Sequence, residues 1–125
     1  MSVTLTHTVK SFPKLPYEAI ADAVLGKKYA VSLIFIGEKR AQQLNMNHRK
    51  ASYVPNVLSF PLDAHNGEIY IAPKVAEREC TKFNLSPIGY VGFLFIHGLL
   101  HLKGLDHGDA MDAAEKRFMK RFGLR

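Results

Sequence analysis

The stretch from His97 to His107, His-Gly-Leu-Leu-His-Leu-Lys-Gly-Leu-Asp-His, constrains this chain more than any other. Its histidines follow a His-x3-His-x5-His pattern. On a helix, residues four apart lie about 40° apart around the axis and ~6 Å apart along it, so His97 and His101 project from one face. On a continued helix His107 would lie ~15 Å from His97 along the axis. Zinc–nitrogen bonds are only about 2.0–2.1 Å long, so three imidazoles reach one ion only if the helix stops and the chain folds back. Gly104 permits that stop, because glycine takes the left-handed position after a helix end at no steric cost. The pattern predicts a metal site with His97, His101 and His107 as ligands. Three imidazoles leave a fourth position open, as in catalytic rather than structural zinc sites. Asp106 is a candidate to hold an imidazole N–H or to take part in catalysis. One histidine on an apolar helix is commonly just a packed or surface residue. Three around a helix-stopping glycine make a far more specific signal.

The spacing is that of the long zincin motif, His-Glu-x-x-His-x-x-Gly-x-x-His. Gly98 stands where peptidases carry the glutamate that serves as general base. The metal cage fits, and the peptidase base is missing from its usual place. The same stretch, His-Gly-x-Leu-His-Leu-x-Gly-x-Asp-His, resembles the signature of the YbeY family, bacterial zinc-dependent endoribonucleases linked to ribosomal RNA maturation. Leu44-Asn45 with Arg49 is similar to the family's Leu-Asn…Arg segment, and Val57-Leu58-Ser59-Phe60-Pro61 to its Val-Leu-Ser-Phe-Pro. Gly67-Glu68-Ile69 is similar to its Gly-Asp-Ile. The resemblance covers roughly residues 33–124, and the first strand and helix match only in pattern. Two departures stand out. Pro55-Asn56 replaces the family's Thr-Asp, which removes a carboxylate, and Phe93 occupies a place where a further histidine is common. The resemblance implies the YbeY fold, one zinc ion per chain and an Arg49 close to the active site. There Arg49 would bind a phosphate or offset charge on a phosphoryl group. His48 and Lys50, its neighbours, are candidate RNA contacts.

The formal charge of +6 favours polyanionic partners such as RNA, although many basic proteins bind none. At 125 residues the chain is expected to form one domain over residues 1–125. No apolar run reaches the ~18–20 residues of a membrane span, and the start lacks the regions of a signal peptide. The single cysteine, Cys80, allows no internal disulfide and suits a reducing compartment. The cytoplasm is the expected location, with no membrane and no DNA among the partners.

Alternation from Val3 to Val9 predicts a strand at a sheet edge. Pro16 opens a helix over Tyr17–Leu25, closed by Gly26. Tyr29–Ile36 is almost continuously apolar, which predicts a central strand covered on both faces. A helix from Glu38 to Asn47 is followed by a loop over residues 51–56. Val57–Pro61 reads as a short strand ended by its proline, and Glu68–Ala72 as the fourth strand. Pro73 opens a helix to Phe83. Ser86-Pro87 is an N-cap followed by a first-turn proline, ahead of a helix apolar nearly all round. Asp109 is expected to cap a last helix reaching about Phe122. His7 and His65 are expected to pack or face water rather than to ligate. Ser59 and Glu68 are minor candidates for the site. These elements predict an α+β fold, a small four-stranded mixed sheet covered by about five helices.

The resemblance implies the activity of a single-strand-specific, metal-dependent endoribonuclease in ribosomal RNA processing, including maturation of the small-subunit rRNA 3′ end, and in ribosome quality control. The expected partners are single-stranded or ribosomal RNA and the ribosome or its associated proteins. Two other readings compete. A zincin-type metallopeptidase has the right spacing but lacks the base at Gly98. A non-catalytic, ribosome-associated RNA-binding factor with a structural zinc is compatible with the basic charge.

Overall fold

The structure, a computed structural model, describes residues 2–51 and 53–125. Met1, and Ser52 in the expected 51–56 loop, lie outside the described residues. The elements run β1 (Val3–His7), α1 (Tyr17–Leu25), β2 (Ala30–Phe35), α2 (Glu38–Arg49), β3 (Val57–Asp63), β4 (Asn66–Ile71), α3 (Pro73–Glu79), α4 (Pro87–Leu102) and α5 (Asp109–Arg121). A 3₁₀ turn, Cys80–Phe83, continues α3. The four strands form one mixed sheet in the order β1-β2-β4-β3. β1, β2 and β4 are parallel, and β3 runs antiparallel to β4. The expected α+β class, the edge position of β1 and the central position of β2 all hold.

Side chains alternate across the pleat. Val31, Leu33 and Phe35 of β2, with Ile69 and Ile71 of β4, point to one face and are fully buried. α1 and α4 pack on that face through Ile20, Val24, Leu94, Phe95, Leu99 and Leu100. Burying side chains of this size contributes about 1.5–3 kcal/mol each, so this layer carries most of the hydrophobic stabilisation. The other face is thinner. Ile34, Phe60 and Tyr70 are only partly covered there, beside a small cluster of Ile36, Ala41, Leu44, Leu58, Ala72 and Val75. β2 is therefore fully covered on one face and partly on the other, not equally on both. At the sheet edge, the Glu18 carboxylate of α1 accepts the backbone N–H of Ser2 and of Val3, tying β1 to the helix layer.

Several element limits differ from expectation, among them α2, which runs on to Arg49 rather than ending at Asn47, and three further differences have a local reason. Pro61 does not end β3, which runs on to Asp63. β3 is an edge strand, and a register shift between Pro61 and Asp63 accommodates the missing N–H. The helix opened by Pro73 tightens to 3₁₀ geometry at Cys80 and stops at Asn84, which takes a left-handed conformation at φ 56°. Asp109 is the first helical residue of α5, and Gly108, at φ 154°, holds the cap position. Asp109 and Asp112 nevertheless stand in the first turn, where negative charge suits the helix dipole.

Candidate metal centre

α4 carries the first two histidines. Ser86 caps it, its Oγ accepting from the Gly89 N–H at 3.0 Å, and Pro87 follows in the first turn. The helix lies against β3 and β4, and Gly98 faces Ile69 across that contact. A Cβ on Gly98 would sit 3.1 Å from Ile69 Cδ1. The residue that replaces the zincin glutamate is thus a packing residue between helix and sheet.

Beyond Leu102 the helix ends as the glycine predicts. Gly104 has φ 102°, its N–H bonds to the His101 carbonyl, and the Leu105 N–H bonds to the Leu100 carbonyl. This paired closure is a Schellman motif. It reverses the chain and returns His107 to the two helical histidines. The ring centroids of His97, His101 and His107 lie 4.6, 5.0 and 5.1 Å apart. One nitrogen from each ring lies within 4.8 Å of the other two. The Nε2 atoms of His97 and His101 are 3.1 Å apart. Two nitrogens on one tetrahedral zinc ion would be about 3.3 Å apart, so the spacing fits a metal ion with little adjustment.

The outward nitrogens of the two helical histidines are already engaged. His97 Nδ1 lies 2.6 Å from Glu115 Oε2, and His101 Nδ1 lies 3.1 Å from the Leu105 carbonyl oxygen. Both acceptors favour a proton on Nδ1, which leaves the Nε2 lone pairs facing inward. Burial first, then the neighbouring His97, hold the His101 pKa below the usual histidine value. The neutral ring that a metal requires is thereby favoured. Glu115 is buried although its side chain is an acid. Asp106, the acid expected beside an imidazole, is exposed and makes no hydrogen bond to the described residues.

The histidines form one wall of an open cleft of about 700 Å³. Arg49, His48, Tyr53, Asn56, Ser59 and Phe60 also line it. Arg49 is the last residue of α2, and Lys50, at φ 54°, turns the chain out of the helix. Lys50 does not line the cleft, unlike His48 and Arg49. Asn45 holds this turn: it is fully buried, and its Nδ2 donates to the Tyr53 carbonyl at 3.1 Å. The ring of His48 lies 5.0 Å from that of Phe60. Asn56 Nδ2 donates to Glu79 Oε1 at 3.0 Å and to the Tyr90 hydroxyl at 3.2 Å. An aspartate at 56 would set two carboxylates against each other, so the amide is matched to Glu79.

The minor candidates resolve simply. Ser59 faces α4, and its hydroxyl donates to the Gly98 carbonyl at 3.0 Å. Glu68 projects to the opposite sheet face from Ile69, where it accepts from the Tyr70 hydroxyl at 3.3 Å. His7 bonds the Val9 carbonyl and packs near Phe12, far along the sheet edge from the cluster. Phe93 stacks between Tyr90 and His97, extending the aromatic column of α4.

Fold and site together define an α+β protein whose three-histidine cluster, able to bind a metal ion, opens onto a cleft edged by an arginine. Comparison with known proteins narrows this. The chain matches the family model described as Endoribonuclease YbeY over residues 3–123, and it belongs to the YbeY family. The protein named Endoribonuclease YbeY from Mycoplasma mycoides subsp. mycoides is 37% identical over 93 residues, covering 66% of this chain and 57% of that protein. The one from Helicobacter pylori is 36% identical over 104 residues, covering 80% and 72% respectively. The solution structure of a Thermotoga maritima protein superposes with a TM-score of 0.69 at 25% identity, over 96% of this chain and 88% of that one. The chain spans 56–57% of the length of the first three curated relatives that it matches.

Proposed function

We propose that this protein is a zinc-dependent endoribonuclease that cuts unpaired RNA, with the metal held by His97, His101 and His107. Membership of the YbeY family supports the ribonuclease reading, and the all-imidazole donor set suits zinc. The observation that carries it is the placement of Arg49 on the same open cleft as the three histidines. Zinc bound there supplies a Lewis acid that polarises a phosphoryl oxygen and lowers the pKa of water.

The chain's own residues do the rest. Arg49, which makes no ion pair with the described residues, presents a guanidinium that grips two phosphate oxygens and offsets charge gained at phosphorus. Tyr53 is 56% exposed, and the His48–Phe60 pair lies beside it on the cleft. These flat faces suit unstacked bases, which favours single strands over duplex. Lys50, one residue past Arg49, reaches the backbone outside the cleft. Gly98 offers no general base and Ser59 is tied to a helix carbonyl, so the chain supplies neither the peptidase glutamate nor a serine nucleophile. Asp106 lies close enough to His101 for its carboxylate to oppose the lowering of the His101 pKa.

In the cell this activity serves ribosomal RNA processing, including trimming towards the 3′ end of the small-subunit rRNA, and ribosome quality control. It takes place in the cytoplasm, with the ribosome as partner. The domain spans residues 1–125.

Zinc-loaded protein given end-labelled RNA, first as a single strand and then annealed to its complement, tests the reading. The single strand is expected to be cut and the duplex spared, with an unstructured peptide left intact. RNA bound but never cut would favour the non-catalytic factor. Peptide cleavage would restore the metallopeptidase.

A further inference from the structure

Glu115 carries an acidic side chain, belongs to none of the motifs of the site, and yet is only 7% exposed. It sits on the inward stripe of α5 among Met111, Ala114 and Phe118, all buried and apolar. A carboxylate placed so deep needs a partner to offset its desolvation. That partner is His97 Nδ1, at 2.6 Å. A carboxylate oxygen at that distance can accept the Nδ1–H of the ring, an arrangement that leaves the His97 lone pair on Nε2.

We propose that Glu115 is the positioning residue of the metal centre: it locks His97 in the tautomer and rotamer that present Nε2 to the ion, and so sets how tightly the site holds it. The proposal rests on the three histidines binding a metal, but not on RNA being the substrate. His101 receives the same orientation from the Leu105 carbonyl, a neutral dipole fixed by the turn at Gly104. His107 is exposed and makes no hydrogen bond to the described residues. The three ligands are therefore graded. His97 is held by a buried carboxyl group, His101 by a backbone carbonyl, and His107 by the fold of its loop. Glu115 also joins the site to a different element, since α5 follows the ligand turn and packs back on α4. The helix after the motif thereby locks the helix that carries it.

The test uses the full chain as wild type, Glu115→Gln and Glu115→Ala. Zinc affinity is measured by competition with a chromophoric chelator. The tautomer of His97 in metal-free protein is read by long-range ¹H–¹⁵N NMR at pH 8. Wild type is expected to show the Nδ1–H form. Glu115→Ala is expected to mix the two tautomers and to weaken zinc binding by about 10–100-fold. Glu115→Gln keeps an acceptor without the charge, and is expected to keep the tautomer and lose less affinity. Should Glu115→Ala fail to fold, the Gln variant carries the test through its partial loss of affinity. Wild-type zinc affinity in a folded Ala variant, or no loss in the Gln variant, would overturn the proposal, as would an Nε2–H His97 in the wild type. Because no RNA is present, failure of the ribonuclease reading would leave this result untouched.

Discussion

In the proposed mechanism, Arg49 is the residue on which the chemistry of the cleft turns. It ends α2 on the cleft wall and makes no ion pair with the described residues, and its helix is closed by the left-handed Lys50. A group that stabilises charge only as it develops affects kcat more than binding of the metal. Arg49→Ala is expected to lower the cleavage rate by about 10²–10³-fold, in line with the loss of one such donor. Zinc content should stay at the wild-type level, because Arg49 touches none of the three histidines in the described structure. Single-turnover kinetics beside metal analysis checks both halves. A rate within threefold of wild type would remove Arg49 from the mechanism. Gly98 makes the complementary point: the residue that denies the site a peptidase base is set by packing against Ile69.

At the scale of elements, the turn after α4 does for His107 what the helix does for the first two ligands. Gly104 has φ 102° and open space around its missing Cβ, so any penalty there comes from the backbone alone. Gly104→Ala is expected to cost about 1–3 kcal/mol of stability and to weaken zinc binding with it. Urea unfolding of the metal-free protein and chelator competition would measure the two losses. An alanine variant as stable as wild type would show that the turn has another low-energy form.

The same element explains what could be read from the sequence. The three candidate ligands lie within eleven residues of one another, and helix geometry alone brings two of them together. Glu115 was not legible that way, because it belongs to another helix and meets His97 only through packing. A signal did exist, an acid inside the apolar stripe of Met111, Ala114 and Phe118. Asp106 looked better by adjacency in sequence, yet adjacency on a reversing turn sends it to solvent. Asn45 was hidden similarly, as a buried amide whose partner is the carbonyl of Tyr53. The strand limits slipped at Pro61 because the sequence does not show that β3 is an edge.

On the scale of the whole molecule, strand alternation and helix signals conveyed the α+β class, the four strands and five helices. The sheet order, with β4 inserted between β2 and β3, follows from long-range pairing that no local pattern encodes. That order matters for function. It puts β3 at the edge beside α4, so the strand that follows the Arg49 loop forms a wall of the metal cleft. The net charge of +6 acts over the whole surface and steers a polyanion towards it. RNA affinity is therefore expected to fall by about tenfold or more between 50 and 200 mM salt, as counterion release requires for a few phosphate contacts. Fluorescence anisotropy of a labelled single strand across that range measures it, and a flat response would mean that phosphate contacts carry little of the binding. No single helix among the described residues is long and apolar enough to cross a membrane.

The central claim is that the three-histidine cluster is where RNA is cut. The most direct measurement is cleavage of an end-labelled single-stranded RNA by zinc-loaded wild type and by His101→Ala, purified in the same way. The wild type is predicted to cut and to lose that activity on metal removal, while His101→Ala, still folded, leaves the RNA intact. Equal cutting by both proteins would contradict the claim and assign the activity elsewhere.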